Sequence, residues 1–190
     1  MSDKRDANIM KGALAGFIGG LVASWTMNQF QSALSRVMEG VEKSHGAQSL
    51  KPAGGEEGIR QMRREPEEES EEQEDATEKL AEAISENIFG RDLDKREKEA
   101  AGAVVHYAFG AAMGGVYGIA AEVAPEAGAG LGLPFGAIFW MAADELAVPL
   151  LGLAARPAEY SLSTHAYALA SHLVYGLTAE VVRKSVRRML

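Results

Sequence analysis

Four segments of the chain are apolar over about the length that a helix needs to cross a lipid bilayer. A span requires roughly 20 mostly apolar residues, because a helix rises about 1.5 Å per residue and the hydrocarbon layer is about 30 Å thick. The segments lie at 9–30, 101–123, 128–153 and 163–182. We therefore predict an all-α fold, a four-span transmembrane helix bundle, with the lipid bilayer as its first partner.

The four segments do not carry this signal equally. The fourth contains His165, His172 and Glu180 and few large aliphatic side chains, so its hydropathy is low. Pro134 and Pro149 each remove a backbone donor within the third segment. We expect these prolines to mark a kink or an end of that helix.

The negative charge is concentrated between the first two segments. The whole chain has a formal charge of −8, and residues 51–99 hold 17 acidic and 9 basic side chains, so the remainder is balanced. A dense run of like charge with few apolar side chains cannot offset its ordering entropy. We predict an acidic disordered loop at 45–76, then an amphipathic helix and connector at 77–99.

The amphipathic helix is predicted from apolar side chains at helical spacing, namely Leu80, Ala81, Ile84 and Ile88. Asp75 and Glu78 are placed as a capping box at its start, and Gly90 is typical of a helix end. A second capping box, formed by Asp94 and Glu97, begins the helix of the second span.

Basic residues at the flanks predict the orientation. They precede the first span at Lys4, Arg5 and Lys11 and follow the fourth at Arg183, Lys184, Arg187 and Arg188. Because positive residues concentrate on the cytoplasmic side, both termini should be cytoplasmic. Residues 1–44 then form the first span with a helical extension, and residues 100–190 form spans 2 to 4 with a basic tail.

An internal repeat indicates a duplicated helical hairpin. The motif "YGIAAEV" at 117–123 returns 58 residues later as "YGLTAEV" at 175–181. The motif "GALAGFIGG" from Gly12 aligns with "GAGLGLPFG" from Gly128, 116 residues later. Two hairpins in the same orientation imply a pseudo-two-fold axis along the membrane normal.

Small residues recur at every fourth position of the first two spans. Such rows let helix backbones approach closely in lipid, although glycine is also common in membrane helices generally. The predicted packing residues are Gly12, Gly16 and Gly20 in the first span and Gly102, Gly110, Gly114 and Gly118 in the second.

Two adjacent carboxylates, Asp144 and Glu145, interrupt the apolar run "AIFWMAADELAVPLLGL". The repeat aligns them with Asn28 and Gln29. Depth along the spans places His106 and His165 near the level of these four side chains, and His172 about 10 Å deeper than His165. The predicted intramembrane polar layer comprises Asn28, Gln29, His106, Asp144, Glu145, His165 and His172. Adjacent helix positions differ by about 100°, so one carboxylate should face the bundle centre and the other a flanking helix or the surface.

Three interpretations of this layer remain open. In the first, a His–carboxylate network holds the helices in register, and the non-enzymatic bundle serves as an accessory subunit for a membrane protein partner or a second copy of the chain. In the second, Asp144 or Glu145 passes protons or a solute with His165 and His172. In the third, His106 ligates a metal with His165 and a carboxylate, or a haem with His172. No spacing such as HExxH supports a metal, so no metal and no cofactor is the default.

At the inner end, Glu122 and Glu180 occupy equivalent positions of the repeat. Each is a carboxylate near a helix C-terminus, where it gains from a cationic partner. We expect interfacial ion pairs with Lys11, Arg183 and Lys184.

Several functional classes find no support in the sequence. The chain has no Cys, which excludes disulfides, thiolate metal sites and a cysteine nucleophile. It has no GxSxG motif and no phosphate-binding glycine loop, so no enzyme is indicated. The short basic tail suits anionic lipid headgroups better than nucleic acid.

The stretches "AAGAVVHYAFGAAMGGVYGIAAEVAP", "PLLGL" and "STHAYALASHLVYGLTAEVV" resemble the YagU-like family of bacterial inner-membrane proteins, a family of unknown function. The resemblance covers most of residues 77–188. It implies a multi-pass protein of the bacterial inner, or plasma, membrane, and it supplies no substrate or active site.

Overall fold

The computed structural model describes residues 8–49 and 76–190. These residues are mostly helical and contain no strand, which confirms the all-α prediction. The α-helices are α1 (Ile9–Ser49), α2 (Ala76–Ile84), α3 (Lys95–Val123), α4 (Leu133–Trp140), α5 (Val148–Leu150) and α6 (Leu162–Met189). Helices α4 and α5 belong to a longer segment, Pro125–Leu150, which we call the broken helix.

Three helices within the described residues are long and apolar enough to cross a membrane: Ile9–Val37 of α1, α3, and the broken helix. Only 39%, 28% and 22% of their most apolar windows are buried inside the protein. An apolar helix in a water-soluble core would be largely covered, whereas these present side chains such as Trp25 and Ile138 outward. This exposed apolar surface suits lipid. Helix α6 is not among the three.

The helices pack as antiparallel neighbours around one core. Helix α1 lies between α3 and α6, and α4 lies on the other side of α6. Aromatic rings complete the bundle between α3 and α4, where Tyr117 stacks on Phe135 with ring centroids 4.2 Å apart. The buried core consists of Ala23, Met27, Phe139, Ala143, Tyr175 and Ala179.

Glycine contacts bring the backbones of α1 and α3 together. A Cβ atom at Gly16 would lie 2.8 Å from Cα of Gly118, and one at Gly114 would lie 2.6 Å from Cα of Gly20. No side chain fits in such gaps. Gly12 and Gly110 of the predicted rows also lie in this interface, whereas Gly102 packs against Glu78 of α2.

A second close approach joins the broken helix to α6. A Cβ atom at Gly176 would lie 2.9 Å from Cα of Gly136, and Gly132 also meets the backbone of Gly176. Under the repeat alignment, Gly132 and Gly176 are the counterparts of Gly16 and Gly118. The two interfaces therefore use equivalent positions.

The helix predicted at 128–153 is interrupted, in agreement with the kink or end expected at its prolines. The first part of the broken helix, Pro125–Gly132, is a 3₁₀ stretch in which Gly130 and Leu131 have positive φ. Pro134 lies in the first turn of α4 and so marks its start. The stretch Met141–Ala147 is a π-helix, and the α-helix resumes around Pro149 before ending at Leu150.

The connection between the first two spans is partly described. Helix α1 continues to Ser49, past the predicted start of the disordered loop at residue 45, and α2 begins at Ala76. The rest of that loop and Asp75 lie outside the described residues. Helix α2 continues as a π-helical turn, Ser85–Phe89, and packs on α3.

The helix boundaries after α2 confirm two predictions. Gly90 ends the π-helical turn with φ of 62°, a left-handed conformation that favours glycine. Asp94 and Glu97 form the capping box at the start of α3, with the Asp94 carboxylate 2.9 Å from the backbone nitrogen of Glu97. A salt bridge of 2.5 Å between Glu82 and Lys98 then holds α2 against α3.

Candidate functional site

The π-helical stretch Met141–Ala147 turns both carboxylates toward α6. Oε1 of Glu145 lies 2.7 Å from Nδ1 of His165, and Oδ2 of Asp144 lies 3.6 Å from Nδ1 of His172. The two acids have different partners: Asp144 also borders the bundle interior beside Met27, as expected for one of the pair, whereas Glu145 faces α6. In a π-helix each turn holds more residues than in an α-helix, so adjacent side chains are closer in direction.

His165 is held by two acceptors. Its Nε2 lies 3.0 Å from the carbonyl oxygen of Pro157, which only accepts hydrogen bonds, so Nε2 carries a proton. Its Nδ1 faces the Glu145 carboxylate. The contact between Nδ1 and Oε1 then needs one further proton, on either atom. The pair is a site at which one proton is held between an acid and an imidazole.

His172 is oriented by its own helix. Its Nδ1 donates to the carbonyl oxygen of Ala168 at 3.0 Å, so the longer approach to Asp144 is electrostatic and not a hydrogen bond. The imidazole is 6% exposed and meets the ring of Phe139 edge-on, with centroids 5.2 Å apart. This histidine is fixed in place and faces Asp144.

The remaining members of the predicted layer come from α1 and α3. Nδ2 of Asn28 donates to the hydroxyl of Tyr107 at 3.3 Å, and the rings of Tyr107 and His106 meet edge-on. Gln29 is exposed, because its direction differs from that of Asn28 by about 100°, and it does not join the layer. Tyr107 was missed in the sequence, where its position beside His106 was the available signal.

Two cavities meet at Asp144. The first, which we call the aromatic cavity, has a volume of about 420 Å³ and is bordered by Phe109, Phe139 and Tyr175. The second, which we call the loop cavity, has a volume of about 600 Å³ and lies beside the connection from α5 to α6. Asp144 and Val148 line both. The carboxylate thus stands at the boundary between two spaces.

The opposite end of the bundle is closed by a buried ion cluster around Glu180. Glu180 is 0% exposed, and Arg183 donates to both its carboxylate oxygens, at 2.7 and 2.9 Å. Lys184 lies 2.9 Å from the same carboxylate, and the hydroxyl of Tyr117 donates to it at 2.9 Å. The structure therefore brings Glu180 together with Arg183 and Lys184, and adds Tyr117.

Glu122 is bound by a residue that the sequence analysis did not pair with it. Nε of Arg187 donates to its carboxylate at 2.5 Å, whereas Lys11 donates to the carbonyl oxygen of Leu190. The hydrogen bond to Glu122 raises the pKa of Arg187 above its ordinary value, so the guanidinium stays charged. The helical spacing of Arg183 and Arg187 in the basic tail was the signal for this second pair.

The geometry does not build the metal site considered above. Within residues 8–49 and 76–190, no three His, Asp or Glu side chains converge closely enough to hold a metal ion. His165 and His172 each face a different carboxylate. The arrangement provides a set of titratable groups around two cavities.

A family model described as "Protein of unknown function (DUF1440)" matches residues 63–181, which is more than half of the chain. The match takes in α2, α3, the broken helix and most of α6, and it leaves out α1. No curated protein and no solved structure matches the chain. The chain belongs to the DUF1440 family of proteins of unknown function.

Proposed function

We propose that the chain is a non-enzymatic, four-span protein of the bacterial inner membrane that conducts protons, alone or together with a small polar solute. One observation carries the proposal: Asp144 stands where two cavities meet, beside two His–carboxylate contacts. Ionisable groups facing the interior of a membrane bundle mark ion and proton pathways. The resemblance to YagU-like proteins and the basic flanks support the inner membrane, with both termini cytoplasmic.

The packing of α6 supports a fourth span. The helix has 28 residues, hence a length of about 42 Å, and it lies along α1 and the broken helix. The polar groups that lower its hydropathy, His165, His172 and Glu180, all contact protein partners. Its outward side chains include Leu177 and Val181, which are apolar. The equivalent glycine contacts of the two interfaces support a duplicated hairpin.

Cavities at one end of the bundle and a closed opposite end support a gated conduit. The cavities lie at the end of the bundle that holds His165, whereas the Glu180 cluster and the aromatic core close the other end. The next titratable pair beyond Glu145 and His165 is Asp144 with His172, and His172 lies two turns further along α6 than His165, so this pair is the next step of the proposed proton path. Under the proposed orientation, the open end faces the outer side of the membrane.

Proton flux into liposomes tests the proposal. Full-length protein is reconstituted, a potassium gradient with valinomycin drives proton entry, and an internal pH dye reports the rate. We expect flux well above that of empty liposomes, and a fall to near background in Asp144→Asn and Glu145→Gln.

The matched control is Glu126→Gln, which removes an exposed carboxylate far from the cavities and should leave the flux unchanged. If the wild-type protein conducts no faster than empty liposomes, or if Asp144→Asn conducts as well as Glu126→Gln, the conduit is rejected.

A second function, as a subunit that binds a membrane protein partner or a second copy of the chain, is supported by surfaces outside the bundle. Helix α1 continues from Val37 to Ser49, about 18 Å further. Ile88 and Phe89 beside α2 are 69% and 75% exposed. Such a subunit should co-purify with a larger complex in mild detergent, and binding should tolerate Asp144→Asn and Glu145→Gln.

A further inference from the structure

We infer that the aromatic cavity is a binding site for a small organic cation, such as a quaternary or protonated amine. The inference deepens the proposed function, since it assigns a chemical class to the solute that would share the pathway with protons. Three features of the cavity lining support it: negatively charged side chains, aromatic rings and a buried hydroxyl group.

The charge of the lining favours a cation. Three carboxylates border the cavity, from Glu78, Glu99 and Asp144, and no Lys or Arg does so among the described residues. Charges attract more strongly across a medium of low dielectric, such as the interior of a membrane bundle, than across water. The lining therefore favours a cation and opposes an anion.

The apolar part of the lining includes three aromatic rings. These are the rings of Phe109, Phe139 and Tyr175. The ring centroid of Phe139 lies 5.6 Å from that of Phe109 and 5.1 Å from that of Tyr175. The face of an aromatic ring attracts a cation through its quadrupole and at the same time accepts methyl groups. Rings together with carboxylates select an alkylated ammonium over a hydrated metal ion.

A buried hydroxyl without a partner provides an independent observation. Ser24 borders the same cavity and is 1% exposed, and its Oγ has no hydrogen-bond partner among the described residues. A buried polar group without a partner is rare in proteins. A ligand with a hydroxyl or N–H group would satisfy it. The volume of about 420 Å³ also lies within the usual range of small-molecule sites, roughly 300–1,000 Å³.

Choline and its neutral isostere, 3,3-dimethylbutan-1-ol, test the assignment because they share a shape and differ in charge. Binding of each to the full chain in nanodiscs is measured by isothermal titration calorimetry. We expect choline to bind at least about tenfold more tightly than the isostere, because the ring faces and carboxylates act on the charge.

Two variants locate the site. Asp144→Asn should weaken choline binding at least about tenfold, since it removes a charge that lines the cavity. Phe109→Leu keeps an apolar side chain but removes a ring, and should weaken choline while leaving the isostere unchanged, even if Asp144→Asn fails to fold. Glu126→Gln, far from the cavity, should change neither affinity.

Equal binding of choline and the isostere, or no binding of choline, overturns the cation site. So does choline binding that neither Asp144→Asn nor Phe109→Leu affects. Loss of the proposed proton flux is a separate result: choline binding without proton flux rejects the conduit and leaves the cation site standing.

Discussion

Glu180 is the residue whose substitution should lower the stability of the protein most, because its carboxylate neutralises the buried guanidinium of Arg183. Glu180 is 0% and Arg183 7% exposed. Removing one partner of a buried ion pair leaves an unpaired charge and costs about 3–5 kcal/mol. Glu180→Gln should therefore lower the unfolding temperature in detergent by several degrees, as followed by circular dichroism.

Glu122→Gln is the matched control. It breaks the ion pair with Arg187, whose side chain is 28% exposed and stays partly hydrated. Glu122→Gln should therefore lower the unfolding temperature less than Glu180→Gln does. Equal unfolding temperatures for the two variants would show that burial does not distinguish the clusters.

The acidic residues of the ion clusters could be predicted from the sequence, whereas several of the residues that bind them could not. Glu180, Arg183 and Lys184 are within one helical turn, so their proximity followed from spacing alone. Tyr117 reaches Glu180 from 63 positions away, and Arg187 reaches Glu122 from 65. Such contacts depend on how α3 and α6 lie together, which no local pattern contains.

Among the helices, the contact between α1 and α3 should be sensitive to one added methyl group. A Cβ atom at Gly118 would lie 2.9 Å from Cα of Gly16, closer than real Cβ atoms come to backbone. Gly118→Ala should therefore force the helices apart and lower the unfolding temperature by several degrees.

Gly115→Ala on the same helix is the control. There a Cβ atom would lie 3.6 Å from the nearest atom, an ordinary contact. Alanine also favours the helix by up to about 1 kcal/mol over glycine. The variant should be as stable as the wild type or more so. If Gly118→Ala is as stable as Gly115→Ala, the backbones of α1 and α3 are not in contact at Gly118.

The elements themselves were largely predictable, whereas their irregularities were not. Hydrophobic periodicity and capping residues indicate a helix such as α3 and its start at Asp94. The positive φ of Leu131 and the π-helix at Met141–Ala147 leave no trace in periodicity. Leu131 lies in a stretch that packs on α6, and the two acids of the π-helix contact histidines of α6, so both irregularities occur at long-range contacts.

For the whole molecule, the sharpest question is whether α6 crosses the membrane. The chain has no cysteine, so single cysteines can be added without altering the background. Glu159→Cys and Arg188→Cys place an exposed thiol near each end of α6. In right-side-out vesicles, an impermeant maleimide should label position 159 directly and position 188 only after lysis.

Labelling of both positions from the same side would show that α6 does not span, and three spans would remain. Two properties of α6 disagree: its hydropathy leaves it out of the three apolar helices, whereas its packing supports the fourth span that we propose. The His and Glu residues of α6 lower its hydropathy, but in the bundle these side chains contact other protein groups. A helix can be polar in sequence and still present an apolar surface to lipid.

The π-helix at Met141–Ala147 also makes the contacts of the two acids sensitive to the number of residues in this stretch. The wide turn accommodates one residue more than an α-helix would over the same rise. A deletion of a single residue there would give a regular helix and leave the segments on either side nearly in place, but it would change the direction of the side chains within Met141–Ala147. Glu145 and His165 would part, while a substitution at the same position would leave them together.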